Sequence, residues 1–307
     1  MAHDAPEPAE QIPHGHEPVL LAETLDLLAV PAGGVVVDCT TGRGGHAEAL
    51  ANALGPAGTL IGLDMDPRNL AYARDRLAGV QANVRLFHAN FAELDTVLDE
   101  AGVPAVDAVL ADLGVSTNQL YAAEYGLSFS APGPLDMRLN PDDPRTALDL
   151  VNRLDERELA NVLYQYADER FSRRIARKVV AERSRSPMKN TKQLADLVRS
   201  VLPPARRGEI DPATRTFMAL RMAVNREPEN LERLLEAAPR RLKPGGRLAV
   251  ISFHSGEDRA VKQRFRLLEQ AGFDLLTKKP LCPGEPEVAA NPKSRSAKLR
   301  ALLKRSG

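Results

Sequence analysis

The stretch Val35-Val-Val-Asp38-Cys-Thr-Thr-Gly42-Arg-Gly44-Gly45-His46 decides the fold. Three β-branched residues run into an acid, a glycine-rich turn follows, and Ala47-Glu-Ala-Leu-Ala-Asn-Ala-Leu54 reads as a helix. Glycine at 42 and 44 lets the backbone turn sharply and lie against a ligand, because no Cβ intervenes. The helix beyond presents free N–H groups and the positive end of its dipole. A second strand, Thr59-Leu-Ile-Gly-Leu-Asp64, ends in an acid about 20 residues past the turn, where a carboxylate suits the two hydroxyls of a ribose. The first half of the chain therefore reads as a holder for a nucleoside-bearing cofactor.

The pattern Gly42-x-Gly44-x-x-Ala47 with Asp64 also satisfies the dinucleotide fingerprint of NAD enzymes, and a tight turn without a ligand reads the same way. Asp38 separates these readings. An acid at the end of the first strand is typical of S-adenosylmethionine (SAM) methyltransferases, where it orders the loop or meets the methionine ammonium. Beside a pyrophosphate it would repel.

Composition sets the frame. The 307 residues suffice for one large domain or two smaller ones, and 43% hydrophobic with 27% charged residues is ordinary for a globular chain. Net charge is zero, so no global nucleic-acid signature exists. Cys39 and Cys282 stand far apart without a CxxC pair, which argues against a disulfide framework or zinc site and for a cytoplasmic protein. No apolar run is long enough to span a membrane. Residues 1–15 lack the apolar core of a signal peptide and read as a disordered leader. His3, His14 and His16 are loosely placed, and His46 and His88 have no partners at ligand spacing, so no catalytic metal is expected.

Along the chain, an amphipathic helix is expected over 16–28 with Pro18 in its first turn, and a helix over 67–77 with Asp66 as N-cap. Further strands are expected at 84–88, 106–111 and 247–252, with a helix stopping at Pro244-Gly-Gly and a last antiparallel pair near 273–277 and 297–303. Strands alternating with helices imply a mostly parallel α/β sheet, whose ligands bind outside the carboxyl ends of the strands. Gly42–His46, Asp64, Phe91 and Asp112 all fall at such ends. After the fourth strand the alternation stops. A long loop, 126–144, and helices near 146–153, 155–166, 169–185 and 191–201 read as an inserted module. The expected division is a discontinuous catalytic domain, 16–140 and 211–307, around a helical substrate-recognition insert, 141–210.

Charge is uneven. Residues 170–192 carry nine Lys or Arg against Glu182, and 293–305 carry six bases and no acid. A solvated helix face is one reading; a phosphate-binding footprint for RNA is the other, with Arg170, Arg173, Arg174, Arg177, Lys178, Arg215, Lys293 and Arg295 as candidate contacts. Aromatics are few, leaving Phe91, Tyr125 or Phe129 for any base stacking.

Seven motifs, His16-Glu-Pro-Val-Leu-Leu, Thr41–His46, Asp112-Leu-Gly-Val-Ser116 with Gln119, Gly133–Arg138, Pro212–Phe217, Phe253–Asp258 and Asn291–Ser296, occur in the order found in one family. The chain resembles the RsmH (MraW) family, bacterial 16S ribosomal RNA cytosine N4-methyltransferases, over about residues 14–300. The resemblance implies a class I methyltransferase fold, SAM as cofactor and the small ribosomal subunit as partner. It implies one decoding-centre cytidine as target. It places Gly44, Gly45 and His46 at the methionine end, Asp64 at the ribose, Phe91 at the adenine, and Asp112 and Gln119 among the cofactor contacts. Asp211 stands where the family usually has His, Gly256 where it has Leu, and Pro132 where an acid is common.

For chemistry, Asp112 is the candidate to orient the amine, the cofactor or both, because an acceptor for the N4 hydrogens offsets developing positive charge. Asp136, Arg138 and His254 are candidate substrate contacts, although Asp136 and Arg138 equally suit a pair that locks their own loop. A Ser-His-Asp hydrolase built on Ser252, His254 and Asp258 lacks a nucleophile elbow. An assembly factor with a vestigial SAM pocket and an NAD-dependent oxidoreductase are the alternatives; a homodimer is left open.

Overall fold

A computed structural model describes residues 18–204 and 210–306. The expected leader, 1–15, lies outside them. A seven-stranded sheet runs in the order β3-β2-β1-β4-β5-β7-β6, where β1 is Val35–Asp38, β2 Thr59–Asp64, β3 Asn83–His88, β4 Val106–Asp112, β5 Leu242–Ser252, β6 Phe273–Leu275 and β7 Lys298–Lys304. The first five run parallel to one another, and β7 pairs antiparallel with β5 and β6. The order reverses between β1 and β4, and ligands bind at such a switch point.

The central strands are buried on both faces, and Val36, Val37, Ile61 and Leu110 are fully enclosed. Helices α1 (Leu21–Leu28), α2 (Gly45–Leu54) and α3 (Pro67–Arg76) follow or precede the first strands. The α4 (Leu94–Glu100), α11 (Glu227–Arg241) and α12 (Ser255–Glu269) helices complete the layers. One face packs Leu50, Leu54 and Leu60, the other Leu98, Leu234, Leu235 and Phe265. A buried Leu or Phe contributes about 1.5–3 kcal/mol, so these faces hold the sheet rigid.

Two local expectations are corrected. Helix α1 begins at Leu21, not near His16: Leu20 adopts a left-handed conformation (φ 53°), which breaks the helix before it, so Pro18 precedes the helix instead of opening it. Strand β5 begins at Leu242, five residues before Arg247, because Val106 still pairs with Leu242 and the register then shifts past Pro244-Gly-Gly before Ala108 meets Arg247. The expected caps are present. Asp66 accepts the Arg68 N–H at 3.0 Å, and Asp155 accepts the Glu158 N–H at 2.7 Å while Glu158 reaches back.

Between β4 and β5 lie α5 (Thr117–Tyr121), α6 (Ala147–Arg153), α7 (Glu156–Ala167), α8 (Ser172–Arg183), α9 (Thr191–Val201) and α10 (Thr214–Asn225). Their shared core is wider than 141–210. It takes in Tyr125, Leu135 and Met137 from the preceding loop and Phe217, Leu220 and Val224 from α10. Phe217, Leu220 and Val224 follow the helical repeat of α10, but Tyr125, Leu135 and Met137 carry no repeat that would announce their packing. A last short helix, α13 (Glu285–Ala290), precedes β7, and its Glu287 accepts the Leu20 N–H at 2.8 Å.

Candidate active site

A cavity of about 590 Å³ opens at the carboxyl ends of β1, β2 and β4 and runs out between the sheet and the inserted helices. Gly42, Gly45, His46, Asp64, Phe91, Asp112, Gln119 and His254 line it, so residues from five separate segments meet there.

The floor is built from the turn after β1. Gly42 (φ 54°) and Gly44 (φ 83°) are both left-handed, and a Cβ at 42 would face open space, with only the Thr40 carbonyl oxygen near it, at 3.8 Å. Gly44 turns instead toward Ala73 and Arg76 of α3 and caps α2, so it shapes the turn without lining the cavity. The Gly42 N–H donates to Asp64 Oδ2 at 2.7 Å, and the Asp66 N–H donates to Asp64 Oδ1 at 2.8 Å. Burial lifts the Asp64 pKa to about 6 against these bonds, so its carboxylate gains from further donors such as ribose hydroxyls.

Asp38 lies behind the wall. It is buried, its Oδ1 accepts the Thr40 N–H at 3.1 Å, and its Oδ2 has no hydrogen-bond partner among the described residues. Burial raises its pKa to about 7, with the charge of Asp64 adding to it. Thr40 relays this position: its hydroxyl accepts the Asp112 N–H at 2.6 Å. Thr40 was missed in the sequence, although it stands in the deciding stretch between two named residues.

Asp112, the last residue of β4, faces the cavity with Oδ1 buried and without a hydrogen-bond partner among the described residues. Its Oδ2 lies 3.6 Å from His46 Nδ1. Burial pushes the carboxyl well above the usual range, and the charges of Asp38 and Glu257 push it further. His46 Nε2 lies 3.0 Å from the Val19 carbonyl. That oxygen can only accept, so Nε2 carries the proton and Nδ1 turns toward Asp112.

Gln119 bridges two loops. Its Nε2 donates to Asp66 at 2.9 Å, and its Oε1 accepts the Ser116 N–H at 3.0 Å. Tyr125 also donates to Asp66, which ties the start of the long loop to the cofactor-side floor. Phe91 opens the turn after β3 and contributes an aromatic wall.

His254 caps α12. Its Nδ1 accepts from the Gly256 and Glu257 N–H groups at 3.2 and 3.4 Å, and its Nε2 lies 3.2 Å from Glu257 Oε1. Burial opposes ionisation of Glu257, but His254 and the Phe253 N–H hold its carboxyl below the usual range. A Cβ at 256 would stand 3.1 Å from the His254 ring, so the glycine there leaves the cap its room. Ser252 and Asp258 turn away, to the Lys298 carbonyl and to Arg300, so no hydrolase triad assembles. Asp211 accepts the Ala213 N–H at 2.8 Å in the turn before α10 and pairs with Arg199.

Asp136 and Arg138 do not line the cavity. Arg138 donates to Asp136 through Nε and Nη2 at 2.7 and 2.9 Å, and to the Pro141 and Asp143 carbonyls at 2.8 and 2.7 Å. The two side chains pair with each other, one of the two arrangements the sequence allowed them. Arg221 and Glu227, which the sequence did not single out, form a bidentate pair at 2.8 Å in the cavity wall.

Among the RNA candidates, Arg170, Arg173, Arg174, Arg177, Lys178, Arg215 and Arg295 are exposed. Ile175, Ala176 and Val179 anchor α8 and leave Arg173, Arg174, Arg177 and Lys178 on its outer face, where Arg177 meets Glu156 at 3.4 Å. Lys293 differs: it is half-buried and lines the cavity. Among the described residues no cluster of His, Cys, Asp and Glu could hold a metal ion, and no helix is long and apolar enough to cross a membrane.

The profile of the MraW methylase family matches residues 13–305. The chain is similar to ribosomal RNA small subunit methyltransferase H of Solibacter usitatus, 49% identical over 94% of this chain and 99% of that one. It is also similar to the protein of the same name from Geobacter sulfurreducens, 47% identical over 94% and 98%. A solved rRNA methylase from Streptococcus thermophilus aligns over 95% of this chain and all of its own, at 16% identity and a TM-score of 0.43. With Gly42 open to the cavity, Gly45 in its wall against Pro18, Asp64 at its floor and an acid closing β4, the site fits SAM as the methyl donor. The chain belongs to the MraW methylase family of SAM-dependent methyltransferases.

Proposed function

We propose that this chain acts in the cytoplasm and transfers a methyl group to the exocyclic N4 of one cytidine in the decoding centre of 16S ribosomal RNA. The observation that carries this reading is the half-buried Asp112 carboxyl at the cavity, whose buried Oδ1 has no hydrogen-bond partner among the described residues. When bound, SAM supplies an electrophilic methyl group on a sulfonium. Asp64 holds the ribose, Phe91 the adenine, and the Gly42–His46 turn the methionine end, while Gln119 and Asp38 fix the surrounding loops.

Cytosine N4 is a weak nucleophile because its lone pair is delocalised into the ring. Asp112 accepts its N–H bonds, returns density to nitrogen and offsets the positive charge that develops on it. Positioning adds to this, since holding two reactants in line can supply roughly 7–11 kcal/mol of a barrier. Asp112 needs its carboxylate form for the role. A neighbouring positive charge favours that form against the burial that opposes it. The proton leaves nitrogen after methyl transfer, so no strong base is needed. We assign the helices of 141–210 the task of gripping the RNA, with the outer face of α8 as the phosphate contact.

The test is transfer of tritiated methyl from SAM to small ribosomal subunits that lack their native modifications, followed by nucleoside digestion. Labelled N4-methylcytidine is the expected product. Label in another nucleoside would overturn the target. No label despite measured SAM binding would favour an RNA-binding assembly factor instead.

A further inference from the structure

Among the described residues that line the cavity, Lys293 is the cation whose nitrogen is buried without a partner; Arg43 lies over the Tyr72 ring and Arg259 is exposed to solvent. Arg221 pairs with Glu227, Arg76 with Glu48, and Lys298 and Arg300 with Asp258. The Lys293 Nζ is closed off from solvent and has no hydrogen-bond partner among the described residues. It rests 4.3 Å from the centroid of the Tyr121 ring. A ring face attracts an ammonium but accepts none of its three N–H donors well. Burial alone pulls the Lys293 pKa below its ordinary value, with no neighbouring carboxylate to offset it. A buried, uncompensated ammonium is costly, and a ligand oxyanion would relieve that cost.

Its position selects the oxyanion. Asp64 and Asp112 occupy the floor, whereas Lys293 sits on the segment before β7, beneath a Tyr121 side chain that is 64% exposed. Arg295, two residues on, is exposed as well. An anion arriving here comes from solvent, past an exposed aromatic ring and a second cation.

We propose that Lys293 binds a backbone phosphate of the target RNA strand beside the nucleotide whose base enters the cavity, with the Tyr121 ring moving off the ammonium as the strand arrives. This rests on the RNA reading above. Lys293 is a substrate-binding residue and takes no part in the methyl transfer itself.

The test compares the parent chain with Lys293→Met, Lys293→Gln and Lys293→Arg. Affinity for unmodified small subunits is measured by filter retention over a range of salt, SAM affinity by calorimetry, and KM and kcat by methyl transfer. The Met and Gln variants are expected to weaken subunit binding and raise KM about tenfold at low salt. They should make the log–log salt dependence shallower by about 0.7–0.9, the signature of one lost phosphate contact. SAM affinity and melting temperature should hold, and Lys293→Arg should recover most of the loss. A parental salt slope in Lys293→Gln with parental melting overturns the proposal and leaves Tyr121 as the full partner of the ammonium. A fall in SAM affinity that accounts for the lost activity overturns it in favour of the methionine carboxylate. Binding is read without turnover, so a chain that labels no RNA sinks the functional reading while the slope still decides the phosphate contact.

Discussion

Two acids of this chain stand in opposite circumstances. Asp112, on the cavity floor, has one oxygen without a partner among the described residues and a carboxyl pushed well above its usual range by burial. Asp136, in the loop before α6, accepts from Arg138 three times. Burial opposes its ionisation too, but the Arg138 bonds overcome it and hold its carboxyl low. The floor keeps polar groups unsatisfied, which is unfavourable for folding unless a ligand completes them. The loop satisfies its own groups and leaves little for a ligand. The floor should therefore govern chemistry and the loop stability.

The largest stability effect belongs to the loop. Gly126 is left-handed (φ 63°), and a Cβ there would run into the Pro134 carbonyl oxygen. Gly126→Ala should destabilise the fold by about 3 kcal/mol or more, read by denaturant unfolding. Next is Arg138→Met, which strips four hydrogen-bond acceptors of their donor and should cost roughly 2–3 kcal/mol. The protein that remains folded should keep its kcat. A folded Arg138→Met chain with lost turnover and normal stability would return this pair to the substrate.

A smaller effect, of opposite sign, belongs to the floor. Asp38 and Asp64 have folded pKa values of about 7 and 6, above the usual carboxylate value, so the folded chain binds more protons than the unfolded one between those limits. Stability of the cofactor-free protein should then fall as pH rises from about 4 through 7. Asp38→Asn removes one such group and should be more stable than the parent at pH 8 by about 2 kcal/mol, with the gain vanishing near pH 4. Thermal melts at both pH values check this. A parent that gains stability over that range would break the contrast.

The floor was largely legible in the sequence because its residues obey local rules. An acid ending a strand, glycines at a left-handed turn, and an acid ending the next strand are spaced by the geometry of one βαβ unit. The parallel sheet, its antiparallel ending and the caps at Asp66 and Asp155 followed from periodicity and capping chemistry in the same way. The inserted core was less legible. Leu135 and Met137 are buried in it from an irregular loop, and nothing in their spacing marks the helices they meet. Arg221 and Thr40 escaped for a related reason: each acts through a partner brought near by the fold, Glu227 and Asp112. The α1 start also escaped, since the left-handed Leu20 has no signature in a leucine pair.

The central claim is that the Asp112 carboxylate serves the chemistry and contributes little to holding the fold. Its most direct test is the single-turnover rate of Asp112→Asn at saturating SAM and subunit, with SAM affinity and melting temperature measured on the same preparation. The rate is expected to fall about 10²–10³-fold while melting stays within a few degrees and SAM affinity within a few fold. A parental rate in that variant, or a loss that affinity or unfolding fully explains, would contradict the role of Asp112.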